Sequence, residues 1–204
     1  NILQVLELSQ IPMYAKDRGE DDPIILGGGP CTYNPEPIAD FFDFFYIGEG
    51  ETSYNKIFDI YIDNKKNKGS RQDFLEKIAE IEGIYVPAFY DVEYKQDQTI
   101  KSFSKNRLSA KERIKKQVDT SLSINNYPKK PLVPFIQVTQ DRVVLEIQRG
   151  GIRGCRFCQA GMVYRPNRER KLSFLKEAAT NMLESTGYEE ISLSSLSSSD
   201  YSDL

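Results

Sequence analysis

Three short apolar runs in this chain each end in glycine: "PIILGGGP" at residues 23–30, "FFYIGEGE" at 44–51 and "RVVLEIQRGG" at 142–151. Runs of this kind predict buried strands, and buried strands that stop at glycine turns are those of a parallel sheet with a ligand at the strand C-terminal ends. Between them lie helical patterns. "ILQVLELSQ" is a short apolar helix, "PEPIADFFD" a short helix opened by proline, and "TSYNKIFDIYIDNKKNK" a longer one. "SRQDFLEKIAEI" places Phe74, Ile78 and Ile81 on one helical face. "GIYVPAFYDVEYKQDQTIKSF" reads as a β-ribbon, and a helix over 173–185 followed by the strand "EEISLSSL" closes a βαβ unit with "RVVLEIQR". The fold class is therefore α/β, in three blocks: 1–66 with a partial Rossmann-like parallel sheet, 67–140 as an α+β linker subdomain, and 141–204 as one βαβ unit. The serine-rich end continues a strand.

Composition narrows the chemistry. With 204 residues and an apolar share of 39%, the chain is a globular one, slightly lean in the residues that build a core. No apolar run reaches the eighteen or so residues that a membrane span needs, and "NILQVLELSQ" lacks a basic signal region, so a cytoplasmic chain without membrane partners is expected. Histidine is absent. That excludes Ser-His and Cys-His nucleophile pairs, histidine-bound zinc and the usual general base near neutral pH. A net charge of −3 argues against a general nucleic-acid binder. One stretch, "KSFSKNRLSAKERIKKQ", sets seven Lys or Arg against one Glu; it reads as a solvated face or as a phosphate contact.

The three cysteines, Cys31, Cys155 and Cys158, are too few and too unevenly spaced for a disulfide framework. The close pair, in "QRGGIRGCRFCQAGMVYRP", points to metal or redox chemistry in a reducing compartment. A closed zinc site would have to recruit carboxylates. An iron–sulfur cluster suits the pair better, because thiolates are its usual ligands and a glycine-rich loop lets backbone amides approach the sulfurs. Cys31, after the first glycine turn, reads as a small buried residue.

That segment resembles the cluster loop of the radical S-adenosylmethionine (SAM) enzymes, a CxxxCxxC signature after the first strand of a partial TIM-like barrel. The resemblance implies that Cys155 and Cys158 are ligands of a 4Fe-4S cluster and that Phe157 lies near the adenine of SAM. The family's first cysteine falls at position 151, which here is Gly151. In the family three thiolates hold three irons and leave the fourth to SAM, so this chain departs from the pattern at one ligand. "ILGGGPCTYNPEPIADFFDFFYIGEGE" in turn resembles the end of the cobalamin-binding-like domain that precedes many such barrels, with Gly27, Gly28 and Gly29 at its glycine turn and Gly48, Glu49, Gly50 and Glu51 at its second turn. The combination is similar to an uncharacterised radical SAM family with that N-terminal domain.

The family's barrel implies about six βα units, so the expectation is a piece of a longer protein. Residues 1–66 would be the end of the cobalamin-binding-like domain, 67–140 the linker and 141–204 the start of an incomplete TIM-like barrel. The resemblance implies SAM and a 4Fe-4S cluster as cofactors, leaves cobalamin open, and implies a reductant protein and a substrate the sequence does not name. Ser194, Ser195 and Ser197 would approach the SAM amino group, or form an ordinary turn. Arg149, Arg153 and Arg156 would shield a cluster, or lie on the surface. Tyr164 and Arg165 belong to the matched loop and read as packing. Gly151 and the short barrel predict a chain without radical chemistry of its own. Alternatives are a non-catalytic binding or assembly module with a degenerate loop, and an RNA-modifying enzyme like the methylthiotransferases. The unpaired sheet edges predict self-association.

Overall fold

A computed structural model describes residues 1–122 and 126–203; residues 123–125 of the expected 67–140 block, and the last residue of the serine-rich end, lie outside the described residues. The chain divides into two units, Asn1–Val118 and Asp119–Leu204.

In the first unit, after helix α1 (Ile2–Leu8), the short strand β1 (Leu26–Gly27) runs parallel to β2 (Phe44–Tyr46), in the register Leu26 to Phe44 and Gly27 to Phe45. The three residues of β2 are all buried because hydrophobic clusters cover both its faces: Phe44 and Tyr46 pack with the helices, Phe45 with Phe42 and Tyr85. A buried central strand has no polar face, which is why this segment reads as a continuous apolar run. Helix α2 (Tyr54–Lys66) and helix α3 (Arg71–Ala79) supply one cover, and Phe74, Ile78 and Ile81 are all buried as their spacing predicts. Ser70 starts α3 with a capping box: its hydroxyl accepts the Asp73 N–H at 3.0 Å, and the Asp73 carboxylate accepts the Ser70 N–H at 2.9 Å.

The segment "PEPIADFFD" forms the expected short helix opened by proline, of the 3-10 type over Glu36–Phe41. Pro35 and Pro37 remove two N–H donors from a segment too short to replace them. The opening of the expected ribbon instead forms β3 (Ile84–Tyr85), which pairs antiparallel with β2, so a mixed three-stranded sheet stands where parallel strands alone were expected. The ribbon itself is β4 (Tyr90–Tyr94) and β5 (Ile100–Lys105), antiparallel. Three cations of the basic stretch meet carboxylates: Lys101 with Glu93, Arg107 with Glu76 and Lys111 with Glu82.

Beneath the sheet lies an ion cluster that no local pattern announces. Asp43 accepts from Arg18 Nη1 at 3.1 Å on one oxygen and from Arg71 Nε at 3.0 Å on the other. The side chains of Arg18 and Asp43 are almost wholly buried. Arg18 also donates to the carbonyls of Pro12, Met13 and Phe41, and Arg71 to those of Gly19, Asp22 and Pro23. These bonds tie the irregular segment 12–23 to the sheet. Removing one member would leave a buried charge uncompensated.

The second unit is a βαβ arrangement. Strand β6 (Val143–Glu146) runs parallel to β9 (Ile191–Ser194), with four register pairs from Val143–Ile191 to Glu146–Ser194. Helix α5 (Leu172–Thr186) covers one face, where Leu175, Ala178 and Met182 meet Val143, Leu145 and Ile147. The helix stops at Gly187, in the left-handed conformation that commonly ends helices. Between β6 and α5 the chain makes the small antiparallel pair β7 (Gln148–Arg149) and β8 (Arg168–Glu169), with the five-residue helix α4 (Gln159–Val163) in between. The fold is thus α/β with small sheets, one of them a parallel pair, and no closed barrel among the described residues.

Candidate functional site: the cysteine loop

The loop leaves the sheet at Gly150 and returns at Arg168, and its base is tightly held. Gly150 has φ +92°, and a Cβ there would sit 2.8 Å from the Pro166 carbonyl oxygen and the Asn167 Cα, so only glycine lets the two arms of the loop come this close. Buried Arg168 clamps the returning arm by donating to the carbonyls of Pro166 at 3.0 Å, Tyr164 at 3.3 Å and Asp119 at 2.8 Å. Arg170 lies under the base. It donates to the Leu122 carbonyl and the Glu146 carboxylate, and its guanidinium stands 4.5 Å from the centre of the Tyr127 ring. Burial alone would push the Glu146 carboxyl up, but hydrogen bonds from Arg149 and Arg170 outweigh it and hold the group below its ordinary value.

The tip is open. Cys155 and Phe157 are exposed, Phe157 almost completely, and Cys158 is half-buried. The Cys158 N–H donates to the Cys155 carbonyl at 3.1 Å, closing a turn around Arg156 and Phe157. Cys158 then caps α4, its sulfur accepting the Gly161 N–H at 3.3 Å. Arg165 donates to the Gly161 carbonyl at 3.0 Å, and Tyr164 is partly buried at the end of α4.

The serine run comes to this loop. Ile147 donates to the Ser194 carbonyl at 3.1 Å, and Gln148 Nε2 to the Ser197 carbonyl at 2.6 Å. Ser195 and Ser198 share a hydroxyl hydrogen bond at 3.0 Å, and Arg153 pairs with Asp200 through both its Nε and Nη2. Both elements lie at the C-terminal ends of β6 and β9, where α/β sheets present their ligand sites. Gln148, Glu146, Asp200 and Arg168 do this positioning, and the sequence reading missed all four. Only Gln148 carried a signal, its place at a strand end. Arg149 spends its guanidinium on Glu146 at 2.8 Å.

The donor set does not fit a three-thiolate 4Fe-4S cluster. The loop offers two sulfurs, and no group of three or more Cys, Asp or Glu side chains suited to a metal occurs among the described residues. The missing donor is a matter of residue identity rather than shape. A Cβ on Gly151 would rest in ordinary contact, 3.6 Å from Leu196 Cδ1, on a backbone that any residue adopts.

The glycine turns of the first unit are placed differently. Gly27 is buried in β1, with Gly28 and Gly29 exposed after it. Gly48 has φ +124° and lies so close to Gln117 that a Cβ would fall 2.2 Å from its carbonyl oxygen; Glu49 donates to that same carbonyl at 3.0 Å. Gly50 packs against the Tyr54 ring. Cys31 is exposed rather than buried, in the 3-10 turn Pro30–Tyr33.

The second unit thus presents a dithiol loop at the C-terminal ends of two parallel strands. Residues 1–87 match the family model described as radical SAM proteins, N-terminal. An uncharacterised protein of Methanocaldococcus jannaschii is 29% identical over 195 residues, which cover 91% of this chain and 35% of that protein. The chain spans about a third of the length of this curated relative. No solved structure matches. Among the described residues, no helix is long and apolar enough to cross a membrane.

Proposed function

We propose that this chain is a piece of a radical SAM protein, with residues 1–87 belonging to its N-terminal region and the β6 loop as the start of its cluster site. The intact protein would cleave SAM reductively at a 4Fe-4S cluster and act on a substrate not yet known. One observation carries this reading: a chain whose first 87 residues match the radical SAM N-terminal family also sets CxxC in the loop after the first strand of a parallel pair. Cys155 and Cys158 would be two of the cluster ligands, Phe157 the residue beside adenine, and Ser194, Ser195 and Ser197 the facing strand end. Cobalamin forms no part of this proposal.

Gly151 favours a second reading for the chain as it stands, a non-catalytic module whose loop no longer holds a cluster. Anaerobic iron–sulfide reconstitution of the Gly151→Cys chain, followed by EPR of the reduced sample with and without SAM, separates the two. A cluster signal that SAM perturbs supports the radical SAM assignment. A Gly151→Cys chain that folds but gives no cluster signal favours the module.

A further inference from the structure

The first unit carries a cavity at the end of its sheet away from the glycine turns. It measures about 600 Å³, the size of a small-molecule site. Phe42 and Asp43, which line it, precede β2, and the N–H of Ile25, just before β1, donates to Asp43 at 2.7 Å. The cavity therefore lies at the N-terminal ends of the two parallel strands, whereas Gly28 and Gly48 follow their C-terminal ends. Its walls are aromatic and apolar, made by Tyr14, Phe42, Tyr85 and Tyr90 with Leu75 and Val92. The rings of Tyr85 and Tyr90 stand 4.9 Å apart between centres.

The charges on the lining divide into spent and unspent. Arg18, Arg71 and Asp43 bond one another and backbone carbonyls, and Glu20 accepts the Arg71 N–H at 2.7 Å. Glu36 and Asp40, both on the 3-10 helix Glu36–Phe41, are not locked in this way. One Glu36 oxygen accepts from the buried Tyr85 hydroxyl, which leaves the other. Burial first, and then the bond and charge of Glu36, hold that hydroxyl above its ordinary pKa, so it stays a donor. Asp40 is exposed and has no hydrogen bond or ion pair among the described residues. Lys16 completes the set, and its Nζ stands 5.6 Å from the centre of the Tyr14 ring. The aromatic wall thus already seats one ammonium group, that of the chain itself.

We infer that this cavity binds a small organic ammonium ion with an apolar body. Glu36 and Asp40 take the positive charge, and the aromatic and aliphatic walls take the body. A neutral molecule of the same shape gains only the second contribution. An anion of that shape meets two unspent carboxylates. This site belongs to the first unit alone and is independent of the cluster assignment.

The test titrates the full chain with 2-phenylethylammonium and, separately, with 2-phenylethanol, which has the same body and no charge. Amide shifts are followed by NMR. The amine is expected to bind at roughly millimolar concentration or below, with shifts centred on Ala15, Ala39 and Ala88 of the lining. The alcohol is expected to bind about tenfold more weakly. Glu36→Gln and Asp40→Asn should each weaken the amine roughly fivefold or more, and Asp40→Asn should do so at an unchanged urea midpoint, because Asp40 holds no partner. Four results overturn the inference: no saturable shift with millimolar amine, shifts centred outside the lining, an alcohol that binds as tightly as the amine, or an unchanged amine affinity in Asp40→Asn.

Discussion

The two units treat their polar groups in opposite ways. In the first, charge and glycine are consumed by the fold: Asp43 holds two arginines that in turn gather six carbonyls, and Gly48 exists to admit the backbone of Gln117. In the second, a saturated base made by Gly150, Arg168 and Arg170 lifts Cys155, Arg156 and Phe157 into solvent. The side chains of the loop tip are thus left in solvent, on a base that these bonds hold.

Mutations break or sharpen this contrast. The largest effect is expected from Asp43→Ala, which leaves the buried guanidinium of Arg18 and that of Arg71 facing each other without a counter-charge. The first unit should lose roughly 3–5 kcal/mol, read as a lower urea midpoint by circular dichroism. A matched glycine pair comes next. Gly48→Ala meets both a positive φ and the Gln117 carbonyl, and should cost about 2–3 kcal/mol, whereas Gly151→Ala meets only ordinary contact and should change stability by no more than about 0.5 kcal/mol. Equal costs at the two positions would remove the distinction between a turn spent on packing and a loop position left open. The smallest effect is in acid. The folded Glu146 carboxyl titrates below its ordinary value of 4.5, so the stability it contributes is present above that pH and lost as pH falls through the lower folded value. Acid unfolding of the second unit should therefore separate the natural chain from Glu146→Gln near neutrality, with the gap closing below pH 4.5.

Much of this was legible in the residues. Burial of Phe74, Ile78 and Ile81 follows from helical spacing, the β4–β5 ribbon from its alternation, and the loop between β6 and α5 from its glycines and cysteines. What stayed hidden depends on partners far apart in the chain. Asp43 lies 25 residues from Arg18 and 28 from Arg71, and nothing local marks Asp43 and Arg18 as buried or Arg71 as their partner. The two-residue strand β3 is too short to state its partner or direction, so its antiparallel pairing with β2 emerges only in three dimensions. Asp200 reads as one acidic residue in a serine-rich end until Arg153 meets it. The cysteine loop was visible as chemistry, and the side chains that hold it were not.

The most direct test of the central claim, that this loop is a radical SAM cluster site short of one thiolate, is an iron count. The natural chain and the Gly151→Cys chain are reconstituted side by side without oxygen, desalted and assayed for iron and sulfide per chain. The account predicts about four irons for Gly151→Cys and a small fraction of that for the natural chain. Equal iron in both, or none in a Gly151→Cys chain shown to be folded, would contradict it.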